Sequence, residues 1–266
     1  MTDKLHVKEL NTLLKLEPEL GTSDERTLSV YMPVRAEGFD VRHYDVILEH
    51  AAGPYRRKLD DDQKKVLDSE LPRFRTRLHL MRPAGCPAIA SFSNEAISLM
   101  HFIRLPESVD ARIEVGPPML TTLELMLRRY PPALLAVVDK EHGRTFASIL
   151  GEVIPLAEMN GQEVRHTRAG GTSAPSNQRK ADNTARANLK QVAASIEAEV
   201  KRDGFTRLYV AGPDEARAAL IRLLPKAIAS LVSGTISASL DTPGGRLLAD
   251  VRDQMMTVNR SSAVSA

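Results

Sequence analysis

Apolar residues recur along the chain in two rhythms, one near 3.6 residues and one near two, and the switches between them predict the elements. From Lys4 to Leu16 the residues Leu5, Leu10, Leu13 and Leu14 fall largely at helical spacing before the break at Glu17-Pro18, which predicts a short leading helix. Thr27 to Met32 is a compact, partly alternating apolar run ended by Pro33, and it reads as a strand. Helices are predicted over about 41–52 and about 60–80. In the second, Val66, Leu67, Leu71 and Phe74 make one face and Pro72 marks a kink or restart. After Gly85 short apolar runs take over, Ala88 to Phe92, Ile97 to Ile103 and Ala111 to Val115, and their simplest reading is a β-meander. Pro117-Pro118 opens a predicted helix through about Arg129, and Tyr130-Pro131-Pro132 closes it with the strongest linker-like punctuation of the first half.

The second half begins with the continuous apolar run Ala133 to Val138, followed by Arg144 to Leu150 and Val153 to Ala157. Three strands joined by tight turns account for it. Between roughly Glu158 and Asn183 apolar periodicity almost vanishes. A helix then carries Leu189, Val192, Ala193, Ile196 and Val200 on one face. It is followed by a strand over Arg207 to Ala211, a helix opened by Pro213-Asp214-Glu215, and a final strand near Thr235 to Leu240. A last helix is expected from Gly244 to about Val258. The fold class predicted is α/β in two domains: an N-terminal α+β domain over 1–130, and a central mixed-sheet domain over 131–243, compatible with ribonuclease-H-like folds. Residues 244–266 form a C-terminal helix and frayed tail.

Composition narrows the chemistry. The chain has 266 residues, 42% hydrophobic and 26% charged, so it is neither disordered nor fibrous. A single cysteine, Cys86, excludes an internal disulfide framework and multi-cysteine zinc sites, and suits a reducing compartment. No apolar run approaches the roughly 18 residues of a membrane span, and the start lacks the order of a signal peptide, so a cytoplasmic protein without membrane partners is expected. Tryptophan is absent and aromatics are 4%, which argues against base-stacking RNA modules and directs any RNA contact to phosphate. The net charge of +2 is too small to imply nucleic-acid binding by itself.

Charge is nonetheless concentrated. Across 161–190, Arg165, Arg168, Arg179, Lys180, Arg186 and Lys190 stand against only Glu163 and Asp182, which leaves +4 there and −2 on the rest of the chain. A basic, glycine-containing loop on a slightly acidic body is suited to contacting phosphates; a solvated linker is the other reading.

Within that stretch, His166-Thr167-Arg168-Ala169-Gly170-Gly171-Thr172-Ser173-Ala174, followed by Arg179 and a long helix, resembles the central-domain loop of the archaeal and eukaryotic class-1 peptide release factor family. That family's pattern is Gly-Gly-Gln-Ser-Ala followed by arginines, and the chain looks closest to its bacterial branch. Leu28 to Pro33 resembles the family's first strand, Gly143-Arg144-Thr145-Phe146 to Gly151-Glu152 its first central-domain hairpin, and Leu224-Pro225-Lys226 its later helix. The resemblance implies binding in the ribosomal A site, with rRNA and tRNA as partners and the loop reaching toward the peptidyl-tRNA ester. Gly170 and Gly171 would shape the loop and the Thr172 N–H would stabilise the oxyanion formed when water attacks the ester carbonyl. Arg165, His166, Arg168, Arg179, Lys180 and Arg186 would contact RNA. No cofactor and no metal are called for.

The departures are equally specific. Thr172 stands where the family has glutamine, so the backbone donor survives and the amide that places water does not. Pro175, Ser176 and Asn177 replace longer basic or aromatic residues, and no equivalent of the stop-codon-reading Asn-Ile-Lys-Ser motif occurs. The third domain, through which family members engage a translational GTPase, is expected to be absent. Two functions follow from the resemblance: codon-independent hydrolysis of peptidyl-tRNA in ribosome rescue, or non-catalytic occupation in ribosome hibernation or protection. A stand-alone fold with an unrelated partner is the third.

Other candidates read as structural. The histidines at 6, 43, 50, 79, 101 and 142 form no metal-type pair. Asp60-Asp61-Asp62 precedes a helix and is expected to cap it. Asp139, Glu141 and Glu152 are placed at turns on the surface, and Gly244-Gly245 at a turn and helix start.

Overall fold

The computed structural model describes residues 26–35, 40–83, 85–150, 152–164 and 174–264. The helix expected over Lys4 to Leu16 lies outside them. The chain divides into two compact units, Met1–Tyr130 and Pro131–Ala266.

The first unit runs β1 (Thr27–Pro33), α1 (Val41–Arg56), α2 (Asp61–Met81), β2 (Ala88–Asn94), β3 (Leu99–Leu105), β4 (Arg112–Gly116) and α3 (Thr121–Arg129). Its sheet is antiparallel in the order β3-β2-β1-β4. The expected meander is therefore half right: β2 and β3 form a hairpin, whereas β4 crosses over to β1, with Leu28 opposite Val115 and Val30 opposite Ile113. Ile113 and Val115 thereby join Leu28, Val30, Leu48 and Phe74 in one buried cluster. An alternating apolar pair shows which face of β4 is buried and is silent about which strand lies beside it.

Local chemistry accounts for the helix ends. The Asp60 carboxylate accepts the Gln63 N–H at 2.7 Å while the Gln63 side chain accepts the Asp60 N–H, a capping box, and Asp61 and Asp62 occupy the first turn. Pro72 neither ends nor restarts α2, which is continuous from Asp61 to Met81. Residues 117–120 do not join α3. Tyr31 donates its hydroxyl to the Met119 carbonyl at 2.7 Å and Ser29 Oγ accepts the Met119 N–H at 3.0 Å, so β1 holds this segment outside helical geometry.

The second unit runs β5 (Ala133–Val138), β6 (His142–Ile149), β7 (Glu152–Asn160), α4 (Ala174–Asp203), β8 (Arg207–Ala211), α5 (Asp214–Leu223), α6 (Lys226–Ala229), β9 (Val232–Ile236) and α7 (Gly244–Val264). The sheet order is β7-β6-β5-β8-β9, antiparallel from β5 to β7 and parallel from β5 to β9, which is the mixed sheet the element order predicts. Every residue of β5 is buried, as its unbroken apolar run requires. Two boundaries differ from expectation. β9 lies at 232–236 rather than 235–240, paired with β8 from Leu208 opposite Val232 to Ala211 opposite Ile236, with a register shift between Leu208 and Tyr209. α4 begins at Ala174, well before its apolar face. Gly212 follows β8 with φ +127°, and a Cβ there would collide with the Val138 carbonyl, so only glycine fits. α7 packs against β7 and β9, burying Leu247, Val251 and Met255.

One carboxylate is held inside this unit. Glu199 on α4 is 4% exposed; its Oε1 accepts hydrogen bonds from Thr145 Oγ1 at 2.7 Å and Ser195 Oγ at 3.2 Å, and its Oε2 has no hydrogen-bond partner among the described residues. Burial pushes its pKa up, and the two hydroxyl hydrogen bonds only partly oppose this. Because the folded pKa lies above the unfolded one, the ionised carboxylate destabilises the fold once pH rises through the folded value, and the penalty is gone below the ordinary value of 4.5. Glu199→Gln, neutral throughout, is expected to raise the melting temperature at about pH 7 and to lose that advantage toward about pH 4. Thermal melts of both proteins across this range check it, and a gap independent of pH would contradict it.

Candidate functional site

The residues of greatest chemical interest in the sequence, Arg165, His166, Arg168, Gly170, Gly171 and Thr172, lie outside the described residues, and the site is built from what flanks them. On the upstream side, β7 ends at Asn160 and the chain is gripped at once. The Gly161 N–H donates to the Glu141 carbonyl at 2.8 Å, and the Val164 N–H donates to Glu141 Oε1, also at 2.8 Å. Val164 is 7% exposed.

The centre of this grip is Asn188 of α4, 5% exposed. Its Oδ1 accepts the Gln162 N–H at 2.9 Å, and its Nδ2 donates to the Gln162 carbonyl at 2.8 Å and to the Lys140 carbonyl at 3.1 Å. A single side-chain amide therefore stands in for a neighbouring strand, satisfying both backbone groups of Gln162 while tying the β5–β6 turn to α4. The approach is close enough that a Cβ on Gly161 would run into the Asn188 side chain and the Glu141 carbonyl.

On the downstream side, α4 carries Arg179, Lys180, Arg186 and Lys190, all exposed. At 100° per residue Arg179, Arg186 and Lys190 fall within about 40° of one another on the helix circumference and span about 16 Å along its axis, with Lys180 flanking them. Asn188 lies on the opposite side, facing the sheet. None of these four cations has an ion-pair partner among the described residues. By contrast, several cations of the first unit's helices are matched: Arg56 with Asp68, Lys64 with Asp61, Lys65 with Asp62, Arg75 with Asp45 and Glu49. An unmatched row of cations on a rigid helix favours an anionic partner that follows its length.

Glu141, expected to be a surface turn residue, anchors the loop. The signals for this clasp were faint but present: Asn188 is a polar, poor helix former four residues before Val192, on the buried face of α4. Asp139 behaves as a turn residue, its carboxylate accepting the Glu141 and His142 N–H groups. Among the described residues, no three His, Cys, Asp or Glu side chains gather as a metal site, and no helix is long and apolar enough to cross a membrane.

Residues 118–255, just over half of the chain, match the model of the bacterial archaeo-eukaryotic release factor family 10. The matched region spans the second unit's sheet, the glycine loop and α4. Among solved structures, an archaeal translation termination factor, aRF1, is similar at 14% identity over 98% of this chain and 76% of that one, with a TM-score of 0.38. Archaeoglobus fulgidus Pelota is similar at 14% identity over 67% of this chain and 51% of that one, with a TM-score of 0.33. Thermoplasma acidophilum Pelota has 13% identity over 67% and 56%, with a TM-score of 0.31. No curated protein matches.

Proposed function

The chain belongs to the bacterial archaeo-eukaryotic release factor family 10, and from that membership we propose that it binds the ribosomal A site through the glycine loop and the basic face of α4. The observation that carries this reading is the family match across 118–255, a stretch that includes both the Gly170-Gly171 loop and the unmatched cations Arg179, Arg186 and Lys190. Those cations, with Lys180 and with Arg165, His166 and Arg168 of the loop, hold rRNA or tRNA phosphates without reading sequence. The Asn188 clasp fixes the backbone at Gln162, where the chain leaves the body toward the loop.

The reaction of this reading is hydrolysis of the peptidyl-tRNA ester in ribosome rescue. Water attacks the ester carbonyl, the backbone N–H of Thr172 stabilises the oxyanion, and the peptide acid and the tRNA 3′ hydroxyl leave. Gly170 and Gly171 permit the backbone to approach the acceptor end. A second reading is favoured by Thr172 itself: without the family's glutamine to place water, the same loop occupies the peptidyl-transferase region and protects or silences the ribosome.

Cosedimentation with purified ribosomes at low and moderate salt, with labelled peptidyl-tRNA in the same samples, tests both. Binding with release supports the hydrolase, and Gly171→Ala is then expected to abolish release while binding persists. Binding without release supports the occluding factor. Absence of binding discards the ribosomal reading.

A further inference from the structure

On the second unit, α4 and α5 enclose a cleft of about 470 Å³. Its floor is aliphatic, made by Leu189, Ala216 and Ala219. Its rim is charged, and most of that charge is already committed: Lys140 Nζ lies 2.9 Å from Glu215 Oε2, and Asp182 accepts a hydrogen bond from the Gln178 amide at 2.8 Å. Two groups on the rim are not committed. Arg186 and Arg222 are exposed and neither has an ion-pair partner among the described residues.

The volume lies in the range of roughly 300–1,000 Å³ typical of small-molecule sites, so the cleft suits a compact ligand. Uncommitted guanidinium groups suit a planar or tetrahedral oxyanion, phosphate above all, because each offers a fork of donors. The aliphatic floor asks for a flat apolar body attached to that anion, and Asp182 on the rim, whose Oδ1 already accepts from Gln178, keeps carboxylate lone pairs to accept from an exocyclic amine. A nucleotide joins these three features in one molecule.

We propose that the α4–α5 cleft holds one unpaired nucleotide, its phosphate on Arg186 and Arg222 and its base over Leu189, Ala216 and Ala219. The proposal uses none of Gly170, Gly171 and Thr172, and it shares Arg186 with the basic face of α4. Its test needs no ribosome, so its failure and that of the ribosomal reading are separable.

The experiment is methyl NMR of the full chain, following Leu189, Ala216 and Ala219 during titration with adenosine and uridine 5′-monophosphates, inorganic phosphate, and the corresponding nucleosides. The monophosphates are expected to shift these methyls saturably, with phosphate alone and nucleoside alone each at least tenfold weaker. Arg222→Gln is expected to weaken monophosphate binding about tenfold, the worth of one charge-assisted hydrogen bond. Ala219→Leu, which fills the floor with an apolar side chain, is expected to abolish binding while leaving the melting temperature near that of the parent. A single-stranded hexanucleotide that binds tighter than the monophosphate identifies the nucleotide as part of an RNA strand; one that binds no tighter identifies a free nucleotide, and both support the cleft. Methyls unmoved by millimolar monophosphate, equal affinity for inorganic phosphate, or an Arg222→Gln variant that binds like the parent would each overturn it.

Discussion

Asn188→Ala is expected to cost about 3 kcal/mol of unfolding free energy and to free the upstream base of the glycine loop. Each of the three hydrogen bonds made by this amide contributes about 1 kcal/mol net. The better helix propensity of alanine returns only about 0.6 kcal/mol, and the emptied space beside Gly161 adds a comparable penalty. The local effect should exceed the global one. The Gln162 N–H, deprived of its only acceptor in the clasp, is expected to exchange with solvent at least tenfold faster, while amides in β5 keep their protection. Asn188→Asp sharpens the test. It keeps an acceptor for the Gln162 N–H but turns a carboxylate toward the Lys140 and Gln162 carbonyls, so it should be as damaging as alanine although it is the closer isostere. Urea unfolding and hydrogen exchange of the three proteins measure both effects. Under the ribosomal reading, peptide release or occlusion falls with them although no loop residue has changed. If Asn188→Ala unfolds at the parental urea concentration with unchanged exchange at Gln162, the clasp does not position the loop.

The contrast between this clasp and the rest of the fold shows what a sequence discloses. The mixed sheet of the second unit was legible because its strands and helices declare themselves locally: the unbroken run in β5, the short run Arg144 to Leu150 that marks β6, and the Leu189, Val192 and Ile196 stripe of α4. The Asp60 cap was legible for the same reason, since its partner Gln63 is three residues away. Pairings across long separations were not. β4 joins β1 rather than β3 because of where Ile113 and Val115 find a shared core, and nothing in the intervening residues states it. The start of α3 is set by Ser29 and Tyr31, some ninety residues upstream. The clasp belongs to this second kind, since Glu141, Gly161 and Asn188 are ordinary residues individually. The glycine pair and the arginines carry a family resemblance in their order along the chain, whereas the residues that grip Gly161 to Val164 carry no such signature.

Neutralising Arg179, Arg186 and Lys190 together, each to glutamine, is expected to weaken ribosome binding about 100-fold at roughly 0.1 M salt and to flatten its salt dependence. A cation that neutralises one phosphate releases close to one counterion, so each contact contributes about 0.7–0.9 to the slope of log affinity against log salt. Three contacts should therefore reduce the slope by about 2–2.7, and the same counterion term extrapolated to 0.1 M gives the loss in affinity. The geometry supports treating the three as a set: they share one face of a continuous helix, so a backbone that meets Arg179 runs on past Arg186 and Lys190. A control of equal charge change is available in the first unit. Arg56, Lys64 and Lys65 are each paired with an aspartate, and their replacement by glutamine alters net charge by the same amount. That variant should leave the slope unchanged, because long-range attraction depends on total charge whereas counterion release depends on contact. Sedimentation at four salt concentrations separates the two. Equal slopes for the two triple variants would mean that ribosome association, where it occurs, does not run along α4, and the loop would then have to be brought to the acceptor end by some other surface.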